Sequence, residues 1–244
     1  MRNIKLTISY DGTQYHGWQI QKNGITIQEV IQNKLSTITN EQVKLIGASR
    51  TDARVHSIGQ VANFHTDSHI DPSSLKKALN SLLPRDIVIL SVEVVEKEFN
   101  ARYSAHRKTY RYIIHNSETM LPFLRNYVWY VPYHLSHAAM HEASQLLVGE
   151  KDFSAFLASN SQIKNMIRHI YRTQVDRNEN TIIFEIEANG FLKYMVRNIV
   201  GTLVEIGKNK ISVNQFAFII ESKDRKMAGM TAPPHGLYLL SVVY

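Results

Sequence analysis

The sequence predicts an α+β fold built from two ferredoxin-like halves, each running β-α-β-β-α-β. Three observations carry this reading. Stretches with alternating apolar residues change to helix-spaced apolar residues in the same order twice along the 244-residue chain. The helical stretches open on recognisable capping residues. No Gly-, Pro- or Ser-rich linker and no low-complexity tract interrupts the series.

In the first half, "KLTISY" (5–10) alternates as a strand. "TIQEVIQNKLSTI" then reads as a helix. Thr26 and Glu29 stand at capping-box spacing, and Ile27, Val30, Ile31, Leu35 and Ile38 form its apolar stripe. "VKLIG" (43–47) and "QVANF" (60–64) are strands, and "DPSSLKKALNSLLP" is a helix with Asp71 as N-cap and Pro72 in its first turn. "IVILSVEVV" (87–95) ends the half as a β-branched strand. In the second half, "TYRYIIH" (109–115) is a strand and a helix runs from Ser136 to a stop at Gly149. A hairpin turns near residues 178–180, followed by a helix over 191–207, a capping box at Ser212 and Gln215, and the strand "LYLLSVVY" (237–244). The expected domains are 1–104 and 105–244. This topology includes the RNA-recognition (RRM-like) fold, so antiparallel sheets flanking a central RNA-binding cleft are the expected architecture.

Composition narrows the chemistry. The chain has no cysteine, which excludes disulfides, thiolate zinc sites and a cysteine nucleophile. The first residues lack an apolar signal core and no apolar run approaches membrane-spanning length, so a soluble, cytoplasmic protein with no membrane partner is expected. Lys plus Arg exceed Asp plus Glu by 28 to 21, a balance that attracts polyanions but is shared by many ordinary enzymes. There is no Walker loop, GxGxxG or GxSxG, and hence no case for ATP, a dinucleotide or a hydrolase elbow. Although His56, His65 and His69 stand close in sequence, no HExxH is present and a metal site is not expected.

"GASRTDARVHSIGQ" (47–60) draws attention because one carboxylate, Asp52, shares a short loop with Arg50, Arg54 and His56. Neighbouring cations favour the ionised carboxylate, a state suited to a nucleophile or a base. A turn-capping aspartate, or one paired with Arg50, accounts for the same pattern. No second carboxylate lies in the loop, which weakens a paired-carboxylate hydrolysis reading. On the 191–207 helix, Arg197 projects away from the apolar stripe, one turn before Gly201. A glycine inside a helix signals a close approach by something else. Tyr110 and Tyr112 share one face of their strand, where an aromatic ring can stack on a base or simply fill a core. Arg102, His106, Arg107, Lys108 and Arg111 surround that strand and suit phosphate contacts or a solvated rim equally.

Six segments together resemble a known family: "YDGTQYHGWQIQ" (10–21), "GASRTDARVHSIGQVANF" (47–64), "KTYRYIIHN" (108–116), "GEKDFSAF" (149–156), "ANGFLKYMVRNIVG" (188–201) and "APPHGLYLLSVVY" (232–244). They look like the TruA-type tRNA pseudouridine synthases, in order and from end to end. The resemblance implies an isomerase that converts uridine to pseudouridine at nucleotides 38, 39 and 40 of the tRNA anticodon stem-loop. It also implies that Asp52 is the catalytic nucleophile and that Tyr110 packs against the target uracil. Arg197 would pair with Asp52, and Arg50 would hold the flipped nucleotide or the opened backbone. Members of the family need no metal or organic cofactor and are homodimers that share one tRNA across both subunits.

One departure stands out. The family pattern has glycine where this chain has Arg54. The expectation taken here is an ordinary backbone at Arg54, with its side chain adding a phosphate contact. Two alternatives remain at this stage. One is a non-catalytic tRNA-binding protein whose Asp loop is impaired, and the other is a carboxylate-dependent phosphodiesterase or glycosidase.

Overall fold

The computed structural model describes residues 1–159, 161 and 163–244. The chain divides into two units, residues 1–106 with 238–244, and residues 107–237. Both are of the α+β class.

The first unit contains β1 (Arg2–Tyr10), α1 (Ile27–Thr39), β2 (Ile46–Gly47), β3 (His56–Thr66), α2 (Pro72–Leu82) and β4 (Ile87–Val95). β1 lies between β4 and β3 and is antiparallel to both. Alternation along β1 puts Ile4, Leu6, Ile8 and Tyr10 into one apolar cluster with Ile27, Ile31 and Leu35 of α1 and Leu75 and Leu79 of α2. Each such side chain stabilises the unit by about 1.5–3 kcal/mol on burial. Asp71 caps α2 as read, accepting the N–H groups of Ser73 and Ser74, and at α1 Thr26 Oγ1 accepts the Glu29 N–H, one half of the capping box read there. Two buried asparagines, Asn3 and Asn63, bond to each other at 2.9 Å. They also tie down the following segment: Asn3 Nδ2 donates to the Phe99 carbonyl at 2.8 Å, and Asn63 Oδ1 accepts the Ala101 N–H at 2.8 Å.

The edge of β3 is shared by two short pairings. β2 is antiparallel to it at Ile46–Asn63 and Gly47–Ala62. The last strand, here β10 (Leu237–Val243), is parallel to it at Tyr238–His56 and Leu239–Ser57. Ser57 Oγ reinforces this second pairing by donating to the Leu239 carbonyl at 3.1 Å.

The second unit contains β5 (Arg107–His115), β6 (Trp129–Tyr130), α3 (His137–Gln145), β7 (Gly149–Asp152), β8 (Ile167–Asn178), β9 (Thr181–Ala188), α4 (Met195–Gly207) and α5 (Val213–Ser222). β5, β9, β8 and β7 form an antiparallel run in that order, and β6 lies parallel to β5. α4 is buried at every position except Arg197 and Glu205, so it is an all-round core helix rather than one with a single apolar stripe.

Several boundaries differ from the sequence reading. α4 starts at Met195 rather than 191, because Tyr194 sits at φ 63° and a left-handed residue cannot continue a right-handed helix. α3 ends at Gln145, short of Gly149, which takes φ 99° and opens β7. The strand expected over 43–47 pairs only at Ile46 and Gly47. The capping box of α5, with Ser212 and Gln215 bonded reciprocally, is as read.

Candidate active site

Asp52 sits half-buried in the loop between β2 and β3, on a turn closed by the Val55 N–H donating to the Asp52 carbonyl at 3.2 Å. Within this turn Arg54 has φ 66°, whereas Ala53 does not have positive φ. That pattern of signs defines a type II turn, in which the third position favours glycine. The expectation of an ordinary backbone at Arg54 is therefore wrong. Arginine occupies a left-handed position that only glycine takes without a steric penalty. The Arg54 N–H is held by the Tyr15 carbonyl at 3.2 Å, and its side chain is exposed.

The turn rests on the segment between β1 and α1. Gly12 and Gly17 approach its backbone so closely that a Cβ on either would collide with it, 2.0 Å from the Val55 carbonyl oxygen and 2.6 Å from that of Thr51 respectively. Gly17 also has φ 91°. Next to it, the Trp18 N–H donates to the Thr51 carbonyl at 3.1 Å, and the Tyr10 hydroxyl bonds Thr51 Oγ1 at 2.8 Å. The buried Trp18 indole occupies the space where Gly47 lacks a side chain. Gln60 braces the start of the loop with its carboxamide, accepting the Ser49 N–H at 3.2 Å and donating to the Ser49 carbonyl at 2.8 Å. Asp52 is thus carried on backbone clamped from below and from both ends. Arg50, two residues earlier, is exposed.

His56 closes the loop as a buried, structural histidine. Its ring stacks on Tyr238 with centroids 4.8 Å apart. Its Nδ1 lies 3.1 Å from both the Gly12 nitrogen and Asp11 Oδ1. One nitrogen cannot accept from the first while donating to the second. The Gly12 N–H and the Asp11 carboxylate thus both face the same ring nitrogen.

In the second unit, Tyr110 lies on β5, buried and packed edge-on against Phe191 with centroids 5.0 Å apart. Tyr112 is on the same face, fully buried, and its hydroxyl donates to the Pro233 carbonyl at 2.7 Å. Burial holds that hydroxyl well above the usual phenol range, and the Arg197 charge opposes the shift. On the other face Arg111 is committed to Glu185 at 2.6 Å.

Arg197 is half-buried near the start of α4. Its Nε donates to the Ala232 carbonyl at 2.7 Å, while the Ala232 N–H donates back to the Arg197 carbonyl at 3.0 Å. The guanidinium carbon stands 4.9 Å from the centroid of the Tyr194 ring. The close approach inferred at Gly201 is real. A Cβ there would fall 1.7 Å from the Met230 carbonyl oxygen, so the segment leading to Ala232 crosses the helix at this glycine.

Sequence reasoning did not assign the clamp under Asp52 to Gly12, Gly17 and Trp18, nor an acceptor for Arg197 Nε to the Ala232 carbonyl. The signal was present for the first group, since two glycines within "YDGTQYHGW" mark backbone positions that admit no side chain. Among the described residues, no three His, Asp or Glu side chains cluster as a metal site would require, and no helix is long and apolar enough to cross a membrane.

In the first unit, a buried scaffold that presents one carboxylate on a clamped turn suits acid–base or covalent chemistry by a single aspartate. The family model described as tRNA pseudouridine synthase matches residues 6–104 and 143–244. The chain belongs to this family, and specifically to its TruA branch. It is 51% identical over 244 residues to tRNA pseudouridine synthase A of Thermoanaerobacter sp. (strain X514), covering all of both chains. It is 48% identical over 244 residues to the protein of the same name from Acetivibrio thermocellus, again over the whole of both. Against that of Limosilactobacillus reuteri the identity is 43% over 249 residues, covering all of this chain and 97% of the relative.

Proposed function

We infer that this chain is an isomerase converting uridine to pseudouridine in tRNA, and we propose that its targets are nucleotides 38, 39 and 40 of the anticodon stem-loop. The observation that carries the reading is the clamped turn bearing Asp52, in a chain whose family performs this reaction. In the isomerisation the bond from uracil N1 to C1′ breaks, the base turns, and C5 bonds to C1′. N1 gains a proton and C5 loses one, with no net redox change and no hydrolysis. Asp52 is the proposed catalytic nucleophile. Tyr110 packs against the target uracil, Arg50 holds the flipped nucleotide or the opened backbone, and Arg197 is the ion-pair partner of Asp52. Extracting a base from a stem costs a few kcal/mol, which stacking and cationic contacts offset.

The finer fold reading belongs to the same proposal: each half is ferredoxin-like, and the enzyme acts as a cytoplasmic homodimer. Sedimentation equilibrium at micromolar concentration tests the dimer, and a monomer at that concentration would remove it.

The reaction itself is tested by tritium release from tRNA labelled at uracil C5, using the native chain and Asp52→Asn. Bonding C5 to the sugar expels that hydrogen. The expected result is release by the native chain and none by the variant, with tRNA still bound by both. Binding without release by the native chain, across a full set of tRNAs, would leave only the binding-protein alternative. Equal release by both would remove Asp52 from the chemistry.

A further inference from the structure

The segment that reaches Arg197 is fixed residue by residue, by groups that the isomerisation as described above does not use. Asn198, fully buried one position after Arg197, donates from Nδ2 to the Phe156 carbonyl at 2.7 Å. Its Oδ1 accepts from Thr231 Oγ1 at 2.6 Å and from Arg225 Nη2 at 3.1 Å. Arg225 Nη2 also donates to Thr231 Oγ1 at 3.2 Å, and its Nη1 to the Ala228 carbonyl at 3.2 Å. One turn further along α4, Thr202 Oγ1 donates to the Asn198 carbonyl at 2.8 Å and accepts the Gly229 N–H at 2.9 Å. The neighbouring Pro233 carbonyl is taken by the Tyr112 hydroxyl. Within residues 228–233, Gly229, Thr231 and Ala232 thus bond to α4 and Pro233 to β5, so the segment is a strap.

The outcome of this strapping is the placement of one atom, the Ala232 carbonyl oxygen that accepts from Arg197 Nε. A guanidinium is planar, and anchoring Nε fixes both its plane and the direction in which its terminal nitrogens donate. The Tyr194 ring stands beside the same guanidinium. Arg225 carries its charge into a half-buried position, where burial lowers its pKa, and its bonds there go to three neutral oxygens. Such expense of desolvation is suited to holding geometry, since a cation without a carboxylate gains little stability from burial.

We propose that Asn198 and Thr231 are positioning residues for the isomerisation, acting through the strap to set the direction of the Arg197 guanidinium. This rests on the role of Arg197 proposed above. Thr231 offers the cleaner test. Thr231→Val keeps the side-chain shape and removes the hydroxyl, whereas Thr231→Ser keeps the hydroxyl.

The measurement is the single-turnover rate of tritium release at saturating enzyme, beside the tRNA Kd and the thermal midpoint, for Thr231→Val, Thr231→Ser and Arg197→Ala. Misplacing a catalytic group by about 1 Å costs on the order of a hundredfold in rate, so a tenfold to hundredfold loss is expected for Thr231→Val. Its Kd should stay within about twofold of native, and Thr231→Ser should recover the native rate. A native rate in Thr231→Val while Arg197→Ala is slow would overturn the positioning role and leave that of Arg197 standing. A loss of rate in Thr231→Val matched by an equal loss of tRNA binding, or unrelieved by serine, would also overturn it. A native rate in Arg197→Ala would remove the reading of Arg197 and this inference with it.

Discussion

Replacing Arg54 by glycine and by alanine separates two things that the residue does at once. The left-handed φ of 66° costs an L-residue about 1–2 kcal/mol, and alanine pays this cost as arginine does. Glycine escapes it but loses roughly 0.5–1 kcal/mol through the greater freedom of the unfolded chain. Arg54→Gly is therefore expected to be more stable than Arg54→Ala by about 0.75 kcal/mol at the mid-points of these ranges. In a chain of this length that is a rise in Tm of roughly 1–4 °C. Urea denaturation of both variants reads this difference. The side-chain role is read separately from the dependence of tRNA affinity on salt. If the exposed guanidinium contacts a phosphate, both variants lose about 0.7–0.9 from the log–log slope. Arg54→Gly no more stable than Arg54→Ala would refute the strain argument. A slope unchanged in both variants would refute the phosphate contact, and the two results are independent.

Gly17→Ala places a Cβ 2.6 Å from the Thr51 carbonyl oxygen at φ 91°, so backbone strain and overpacking together should cost about 2–5 kcal/mol. The same change should slow tritium release in the fraction that still folds, because the displaced atoms adjoin Asp52. Stability also has an alkaline limit set by tyrosine. Burial raises the pKa of Tyr112, Tyr15 and Tyr244 above the usual 10, and hydrogen bonding to Asp86 adds to this at Tyr15. Below pH 10 these phenols are protonated whether the chain is folded or not. Above it the unfolded chain releases their protons and the folded chain does not, so stability falls as pH rises, by about 1.4 kcal/mol per pH unit for Tyr112 alone. Absorbance at 295 nm should show these tyrosines ionising only as the fold is lost; their smooth titration in a folded chain would contradict the burial argument.

The order of elements was legible because alternation and caps are local signals. Asp71 before Pro72, and Ser212 with Gln215, announce helix starts that the structure forms as read. What escaped was decided by contacts outside the stretch being read. β2 shrinks to two residues because α1 side chains take the backbone groups ahead of it: Ser36 Oγ accepts the Val43 N–H, Gln32 Oε1 accepts the Leu45 N–H and Gln28 Nε2 donates to the Leu45 carbonyl, and nothing in "VKLIG" reports that competition. Tyr194 adopts a left-handed backbone in the middle of an apolar run whose periodicity continues undisturbed, so the start of α4 was read too early. At the site, Asp52, Arg50, Tyr110 and Arg197 were named from residue type and resemblance. The backbone beneath Asp52 was not read, because glycines signal that something approaches but not what. Arg54 shows the converse: the departure was visible in the sequence, but its conformational meaning became visible only through the turn it occupies.

The parallel pairing of β10 with β3 has a consequence for the order in which the protein matures. His56 and Ser57, at the exit of the Asp52 loop, are partnered by Tyr238 and Leu239, which emerge from the ribosome only after all of residues 107–237. At the usual pace of about 5–20 residues per second, the loop waits roughly ten seconds or more for its last support. A chain that stops before residue 238 lacks the ring that stacks on His56. The support of the Asp52 loop is thereby tied to residues 238 and 239, and a fragment without them lacks part of what holds that loop.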